Sequence, residues 1–140
     1  MIAHVALETR PADGPAATAF WIELGFVVVD PPASLRARAA WLERDGTQIH
    51  LLWTEQPTVM PEGHVAVVVP DYAGTLERLQ SAGHPVEPRT EHWGAPRAFA
   101  WTPGGHRVEL MASPPASPPL PSPGEPSPSA YAITEQPQDA

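Results

Sequence analysis

Two apolar segments of the chain each carry one ionisable side chain at an equivalent step. His50 lies in GTQIHLLW, residues 46–53, and Glu109 lies in GHRVELMA, residues 105–112. Imidazole and carboxylate groups can move protons or bind divalent metal ions. Both segments are typical of half-buried strands, where an ionisable group costs free energy unless something compensates it. The sequence therefore raises the question of what compensates His50 and Glu109.

An internal repeat places two further histidines in register with this pair. His4 precedes His50 by 46 positions, and His64 precedes Glu109 by 45. The two first members are 60 positions apart and the two second members are 59 apart. A single histidine is easily found by chance in a chain that has six, but four ionisable residues in register with a repeat are not. The repeat therefore singles out these four side chains.

The elements that must position these side chains follow the same order in both halves. The pattern over residues 1–56 predicts a strand in IAHVALE, a helix in GPAATAFWIELG, a second strand in FVVVD, and two further strands in RARAAWLERDGTQIHLLW. Residues 62–112 repeat that order. Gly25 and Gly83 are typical helix C-terminal signals, and Asp71 can cap the second helix. We predict an α+β fold of two tandem βαβββ modules.

Composition separates a folded unit from a tail. A chain of 140 residues is long enough for one domain and an extension. Residues 113–140 contain 9 of the 20 prolines, so this segment cannot bury enough apolar surface to offset its chain entropy. We predict one domain over residues 1–112 and a Pro/Ser-rich, disordered or polyproline-II tail over residues 113–140, whose functional alternative is a docking peptide.

Charge and residue usage limit the partners. The net charge is −8 with only 8 Lys and Arg residues, which argues against nucleic acid and against an anionic membrane surface as partners. The absence of cysteine excludes disulfides and thiolate metal sites. The N-terminus lacks the features of a signal peptide, and no apolar run has the length of a membrane span. We therefore expect a soluble cytoplasmic protein.

Two motifs resemble the vicinal oxygen chelate superfamily, which includes glyoxalase I, extradiol dioxygenases, and the fosfomycin- and bleomycin-resistance proteins. AFWIELGF, residues 19–26, is similar to the end of the family's first helix, and TPGGHRVEL, residues 102–110, is similar to its final hairpin. The resemblance covers residues 2–112. It implies two curved sheets that form a cup around a central metal or ligand site, and it implies a homodimer.

The resemblance also implies a ligand set, because the family's metal ligands lie on the first and fourth strands of each module. Those positions hold His4, His50, His64 and Glu109. Such donors suit one divalent ion per chain: Zn, Ni, Mn, Fe or Co. Most glyoxalase I sequences have a carboxylate or glutamine at the place of His50, and the fosfomycin enzymes use three ligands. His50 is therefore either a fourth ligand or a polar residue that lines the pocket.

Catalytic and substrate-binding roles follow from the same placement. If this chain acts as the enzymes that it resembles do, Glu109 or a metal-bound hydroxide would move the proton. Strand alternation puts Gln48 on the face of His50 and Arg107 on the face of Glu109, where both could contact substrate. Trp41 and Trp101 are candidates for an aromatic wall beside a planar ligand.

The function that this site predicts is a metal-dependent glyoxalase-like enzyme, a lyase or isomerase. Its small substrate would chelate the metal through vicinal oxygens. Three alternatives remain: a metal-free drug-binding protein of the bleomycin-resistance type, a fosfomycin-resistance-like transferase and an extradiol-type dioxygenase. Metal content discriminates the enzyme from the drug-binding protein, because sequestering a drug needs no metal ligands. The fold alone does not determine the reaction.

Overall fold

A computed structural model describes residues 1–117 of the chain. Each half of this part contains one α-helix and four strands, and a short 3₁₀ helix (Pro11–Asp13) precedes the first α-helix. The first half consists of β1 (His4–Thr9), α1 (Gly14–Glu23), β2 (Val27–Val29), β3 (Ala39–Arg44) and β4 (Thr47–Trp53). The second half consists of β5 (Val65–Val68), α2 (Tyr72–Ser81), β6 (Val86–Arg89), β7 (Arg97–Trp101) and β8 (Arg107–Met111). The prediction of a disordered or polyproline-II tail falls largely on residues 118–140, which lie outside the described residues.

The strands form two four-stranded mixed sheets with equivalent topology. Sheet A has the order β1-β4-β3-β2, and sheet B has the order β5-β8-β7-β6. The first strand of each half runs parallel to the fourth, and the other neighbours are antiparallel. The predicted α+β fold of two tandem βαβββ modules is therefore confirmed.

The helices begin and end where the sequence provides signals. The Asp71 carboxylate caps α2 by accepting a hydrogen bond of 3.1 Å from the backbone N–H of Gly74, as predicted. Gly25 follows α1 with φ +87°, a left-handed conformation that glycine adopts without steric cost. These signals fix the lengths of the helices and hence the points at which the following strands begin.

One hydrophobic core joins the two modules. It contains Trp21 and Phe20 of α1, Leu79 of α2, and strand residues from both sheets. Because strand side chains alternate between faces, Ile49 and Leu51 of β4 point into this core. His50, which lies between them, must therefore face the other side of sheet A, away from the helices.

An arginine strengthens the junction between the modules. The guanidinium of Arg44, at the end of β3, donates a hydrogen bond of 2.9 Å to the carbonyl of Leu24 and one of 3.0 Å to the carbonyl of Val68. The first acceptor follows α1 and the second ends β5, so a single side chain connects both modules. Hydrogen bonds from a charged donor are stronger than neutral ones, which helps to fix the relative position of the two sheets.

Candidate metal and ligand site

The four in-register side chains form two pairs on the sheet faces that point away from the common core. On sheet A, His50 lies opposite Trp41 on β3 and beside Ala6 on β1. On sheet B, Glu109 lies opposite Phe99 on β7. Among residues 1–117, no three His, Asp or Glu side chains converge on a point where they could hold one metal ion. Within the described chain the predicted ligands are therefore divided between the two sheets.

The pair on sheet A is part of a stack of three aromatic rings. The His50 ring lies 4.0 Å from the Trp41 indole and 4.2 Å from the His4 ring, with interplanar angles of 3° and 12°. The His4 ring is exposed at the outer end of the stack, whereas His50 is only 8% exposed. Stacked rings direct their nitrogens along nearly parallel planes. At least one of the two histidine rings must rotate before both can bind the same ion.

Hydrogen bonding and burial set the state of His50. Its Nε2 lies 2.8 Å from the Gln48 amide oxygen, an acceptor, so Nε2 carries a proton and Nδ1 has the unshared electron pair. Burial lowers the pKa of His50 below its usual value, and the charge of His4 lowers it further. Both effects favour the neutral ring, which is the form that binds metals. Gln48 would thus orient a ligand as metal-site neighbours commonly do.

The pair on sheet B is joined directly. Nε2 of His64 lies 3.1 Å from Oε2 of Glu109, and Nδ1 of His64 lies 3.0 Å from the backbone carbonyl of Glu62. A carbonyl only accepts, so Nδ1 carries a proton. In the neutral ring, the electron pair of Nε2 then faces a carboxylate oxygen, and two acceptors at this distance repel. A proton or a cation between Nε2 and Oε2 removes the repulsion, and a divalent metal ion fits these donors.

Arg97 is the residue that sequence reasoning missed at this site. Its Nε donates to Oε1 of Glu109, and both side chains are mostly buried, with 12% and 8% exposed. The buried carboxylate is therefore compensated in the described chain by a guanidinium on the neighbouring strand. The alternation of Arg97, Phe99 and Trp101 in RAFAW put all three on one face, and this was the available signal. Pairing Arg97 with Glu109 required the register of β7 against β8.

Comparison with known proteins identifies the family of the chain. Residues 1–110 match the model of the Glyoxalase/Bleomycin resistance protein/Dioxygenase superfamily. The chain belongs to this superfamily. The match confirms the resemblance predicted from the two motifs. No curated protein matches the sequence.

Solved structures of superfamily members share the fold at low sequence identity. A Bacillus anthracis protein assigned to the glyoxalase family is 22% identical, with a TM-score of 0.71 over 79% of this chain and 93% of its own. Lactoylglutathione lyase from Agrobacterium tumefaciens is 16% identical, with a TM-score of 0.61 over 79% and 92%. An antibiotic-binding protein from a Streptomyces species is 19% identical, with a TM-score of 0.61 over 79% and 93%. At these identities the likeness supports the fold alone.

The predicted substrate-binding side chains of this superfamily member also fall into two groups. Gln48 and Trp41 contact His50 on sheet A. Trp101 lies opposite Arg107 on sheet B, and its ring centre is 6.4 Å from that of Phe99. The structure thus places each candidate beside one of the two predicted ligand pairs, and their binding roles remain predictions. Within residues 1–117, no helix has both the length and the apolar character needed to cross a membrane.

Proposed function

We propose that this superfamily member is a metal-dependent enzyme of the glyoxalase type that moves a proton on a small substrate with vicinal oxygens. The observation that carries the proposal is the contact between Nε2 of His64 and Oε2 of Glu109, at 3.1 Å. The backbone carbonyl of Glu62 fixes the proton of this histidine on Nδ1, so its other nitrogen is ready to bind a cation. A divalent ion bound there would act as a Lewis acid toward a substrate oxygen.

The side chains of the site have separable roles in this proposal. Glu109 exchanges the proton through its carboxylate, which Arg97 holds by Oε1 while Oε2 faces His64. Burial lowers the pKa of His50, which favours its neutral form. Gln48 fixes the orientation of that ring. The burial of Glu109 limits competition from water.

We propose that the complete site forms between two copies of the chain. His4 and His50 lie on sheet A, and Glu109 lies on sheet B in contact with His64, which directly precedes β5. His50 and Glu109 are on sheet faces that point away from the shared core. A two-fold dimer can place sheet A of one subunit against sheet B of the other, which gives two equivalent sites. Exposed apolar side chains on sheet A, Leu52 at 39% and Val27 at 62%, would be covered by such a partner.

A second candidate function is metal-free binding of a planar ligand, and the ring stack on sheet A favours it. The rings of His4, His50 and Trp41 are already packed face to face and could extend the stack by one aromatic molecule. The two functions differ in what happens to the ligand. A binding protein releases it unchanged, whereas an enzyme of the glyoxalase type exchanges a proton with solvent.

Proton exchange with heavy water is the direct test of the enzyme proposal. The metal-loaded protein is incubated in D₂O with a panel of small 2-hydroxycarbonyl compounds, and deuterium incorporation at the carbon beside the carbonyl is followed by NMR. We expect metal-dependent incorporation for at least one compound. We expect a loss of about 100-fold or more in Glu109→Gln, since a positioned general base contributes about 10²–10⁴-fold.

The matched control is Glu77→Gln, which changes an exposed carboxylate on α2. It should leave the exchange rate unchanged. Compounds that bind to the loaded protein without any exchange would contradict the enzyme proposal and favour the metal-free binding protein.

A further inference from the structure

Sheet B carries a cluster of guanidinium groups around one aromatic ring. The guanidinium carbons of Arg107, Arg89 and Arg97 lie 4.5, 5.1 and 5.3 Å from the centre of the Phe99 ring. These distances are within the range of cation–π attraction. The chain has a net charge of −8 and only eight basic residues, so three of them on one sheet face form a local concentration of positive charge. Arg97 is paired with Glu109, whereas Nη1 of Arg89 lies 3.8 Å from the exposed Glu87 carboxylate, which is too far for a hydrogen bond and leaves the donors of Arg89 available to another acceptor.

The side chain of Arg107 is mostly buried, with 15% exposed, but the groups that it contacts compensate its charge only weakly. One of its terminal nitrogens contacts the backbone carbonyl of Glu62 and, at 3.1 Å, the carboxylate of the same residue. That carboxylate is 91% exposed, and a well-solvated ion pair contributes little to stability. The Nε of Arg107 is buried and has no hydrogen-bond acceptor within residues 1–117. A buried guanidinium with incomplete pairing points to an acceptor supplied by a ligand.

A cavity of about 350 Å³ adjoins this arginine between β1 and β5, the edge strands of the two sheets in the described chain. Its walls are largely apolar side chains, and its polar side chains include Arg107 and His64. The apolar walls are formed by Val5, Leu7, Met60 and Val65. Glu8 also borders the cavity, but its carboxylate accepts a 2.6 Å hydrogen bond from the backbone N–H of Thr58. The volume lies at the lower end of the range for small-molecule sites.

We propose that the substrate is a small organic anion whose acid group is bound by Arg107 and Arg89 and whose apolar part occupies the cavity between β1 and β5. This inference rests on the proposed function in that it names the substrate class of the same site. The arginines recognise the acid group through charge-assisted hydrogen bonds. The apolar walls of the cavity favour a hydrocarbon part over water. His64 borders the cavity and also contacts Glu109, so a molecule held there lies beside the proton-transferring carboxylate.

The test uses the full chain after metal removal with EDTA and dialysis, so that it does not depend on metal binding. Hexanoate, hexyl phosphate, acetate and the neutral hexanamide are titrated by ligand-observed NMR. We expect one of the two hexyl anions to bind at least about tenfold more tightly than both hexanamide and acetate, because charge-assisted pairs and buried methylene groups each contribute to affinity. The tighter of the two anions identifies the acid group.

Variants locate the binding site. Arg107→Gln should weaken anion binding by about tenfold or more, and Arg89→Gln by about threefold. Arg89 is nearly half exposed, so its replacement tests the proposal even if Arg107→Gln fails to fold. Arg36→Gln changes the charge equally at an exposed site and should have no effect.

Equal affinity for hexanoate, hexyl phosphate and hexanamide would overturn the proposal. So would unchanged anion binding in both Arg107→Gln and Arg89→Gln, or in Arg89→Gln alone if Arg107→Gln does not fold. Equal affinity for acetate and the hexyl anions would overturn the role of the cavity. If the anion binds as expected but the protein takes up no metal, the proposed enzymatic function fails and the substrate-class inference stands as ligand specificity. The two failures are therefore distinguishable.

Discussion

Replacing His64 or Glu109 by alanine is expected to abolish tight binding of a divalent metal ion. The wild-type protein should bind about one ion per chain, since the two modules together supply one set of donors. His64 and Glu109 are 3.1 Å apart and jointly provide a nitrogen and a carboxylate oxygen. Loss of a residue that merely orients a ligand costs roughly 10–100-fold in metal affinity, so loss of a ligand should cost more than about tenfold, and we expect loss of either member of this contacting pair to cost more than about 100-fold.

The measurement is elemental analysis after reconstitution with Zn, Ni, Mn, Fe or Co, followed by competition with a chelator of known affinity. His92→Ala is the matched control, because this exposed histidine has no equivalent in the repeat.

His50→Ala should weaken metal binding by more than about tenfold if His50 is a ligand. Unchanged affinity in that variant would indicate a three-ligand site. If the wild-type protein takes up none of these metals, the assignment of these side chains as metal ligands is contradicted.

Replacing Arg97 by methionine is expected to destabilise the metal-free protein by about 3–5 kcal/mol, the usual cost of leaving a buried charge without its partner. Glu109 is buried, and Arg97 compensates the charge of its carboxylate in the described chain. Urea unfolding at a fixed protein concentration measures the change in free energy. A cation bound to Glu109 would replace part of the lost attraction, so metal should reduce the effect.

Two comparison variants separate loss of charge pairing from loss of packing. Arg10→Met removes a guanidinium whose Nε lies 3.3 Å from Asp13 at a site that is 59% exposed, and it should cost less than about 1 kcal/mol. The double variant Arg97→Met/Glu109→Gln should recover most of the lost stability, because no charge is then left buried. A cost below about 1 kcal/mol for Arg97→Met alone would show that Glu109 is compensated by other groups.

Local sequence patterns predicted the fold and the sheet faces, but not the contacts across strands. The repeat predicted the order of elements in both modules, and alternation predicted that His50 and Glu109 share their faces with Gln48 and Arg107. The salt bridge between Arg97 and Glu109 was not predictable in this way, because it depends on the register of β7 against β8. The resemblance to the superfamily rested on the two motifs and not on single residues.

The separation of the four candidate ligands into two pairs was also beyond the sequence. The repeat placed His4, His50, His64 and Glu109 at equivalent positions, which is compatible with convergence inside one chain or between two chains. How the sheets are placed depends on tertiary contacts such as the common core and the hydrogen bonds of Arg44 to both modules. The ring stack of His4, His50 and Trp41 likewise arises from side-chain packing across three strands.

Complementation between subunits tests the proposed two-chain metal site most directly. One subunit carries His4→Ala and His50→Ala, the other carries His64→Ala and Glu109→Ala, and the two are co-expressed with different affinity tags. If sheet A of one subunit meets sheet B of the other, the mixed dimer retains one intact site and loses the second. We predict about one metal ion per mixed dimer and none in either parent homodimer. If the wild-type protein binds metal but the mixed dimer, like both parent homodimers, binds none, the proposal is contradicted.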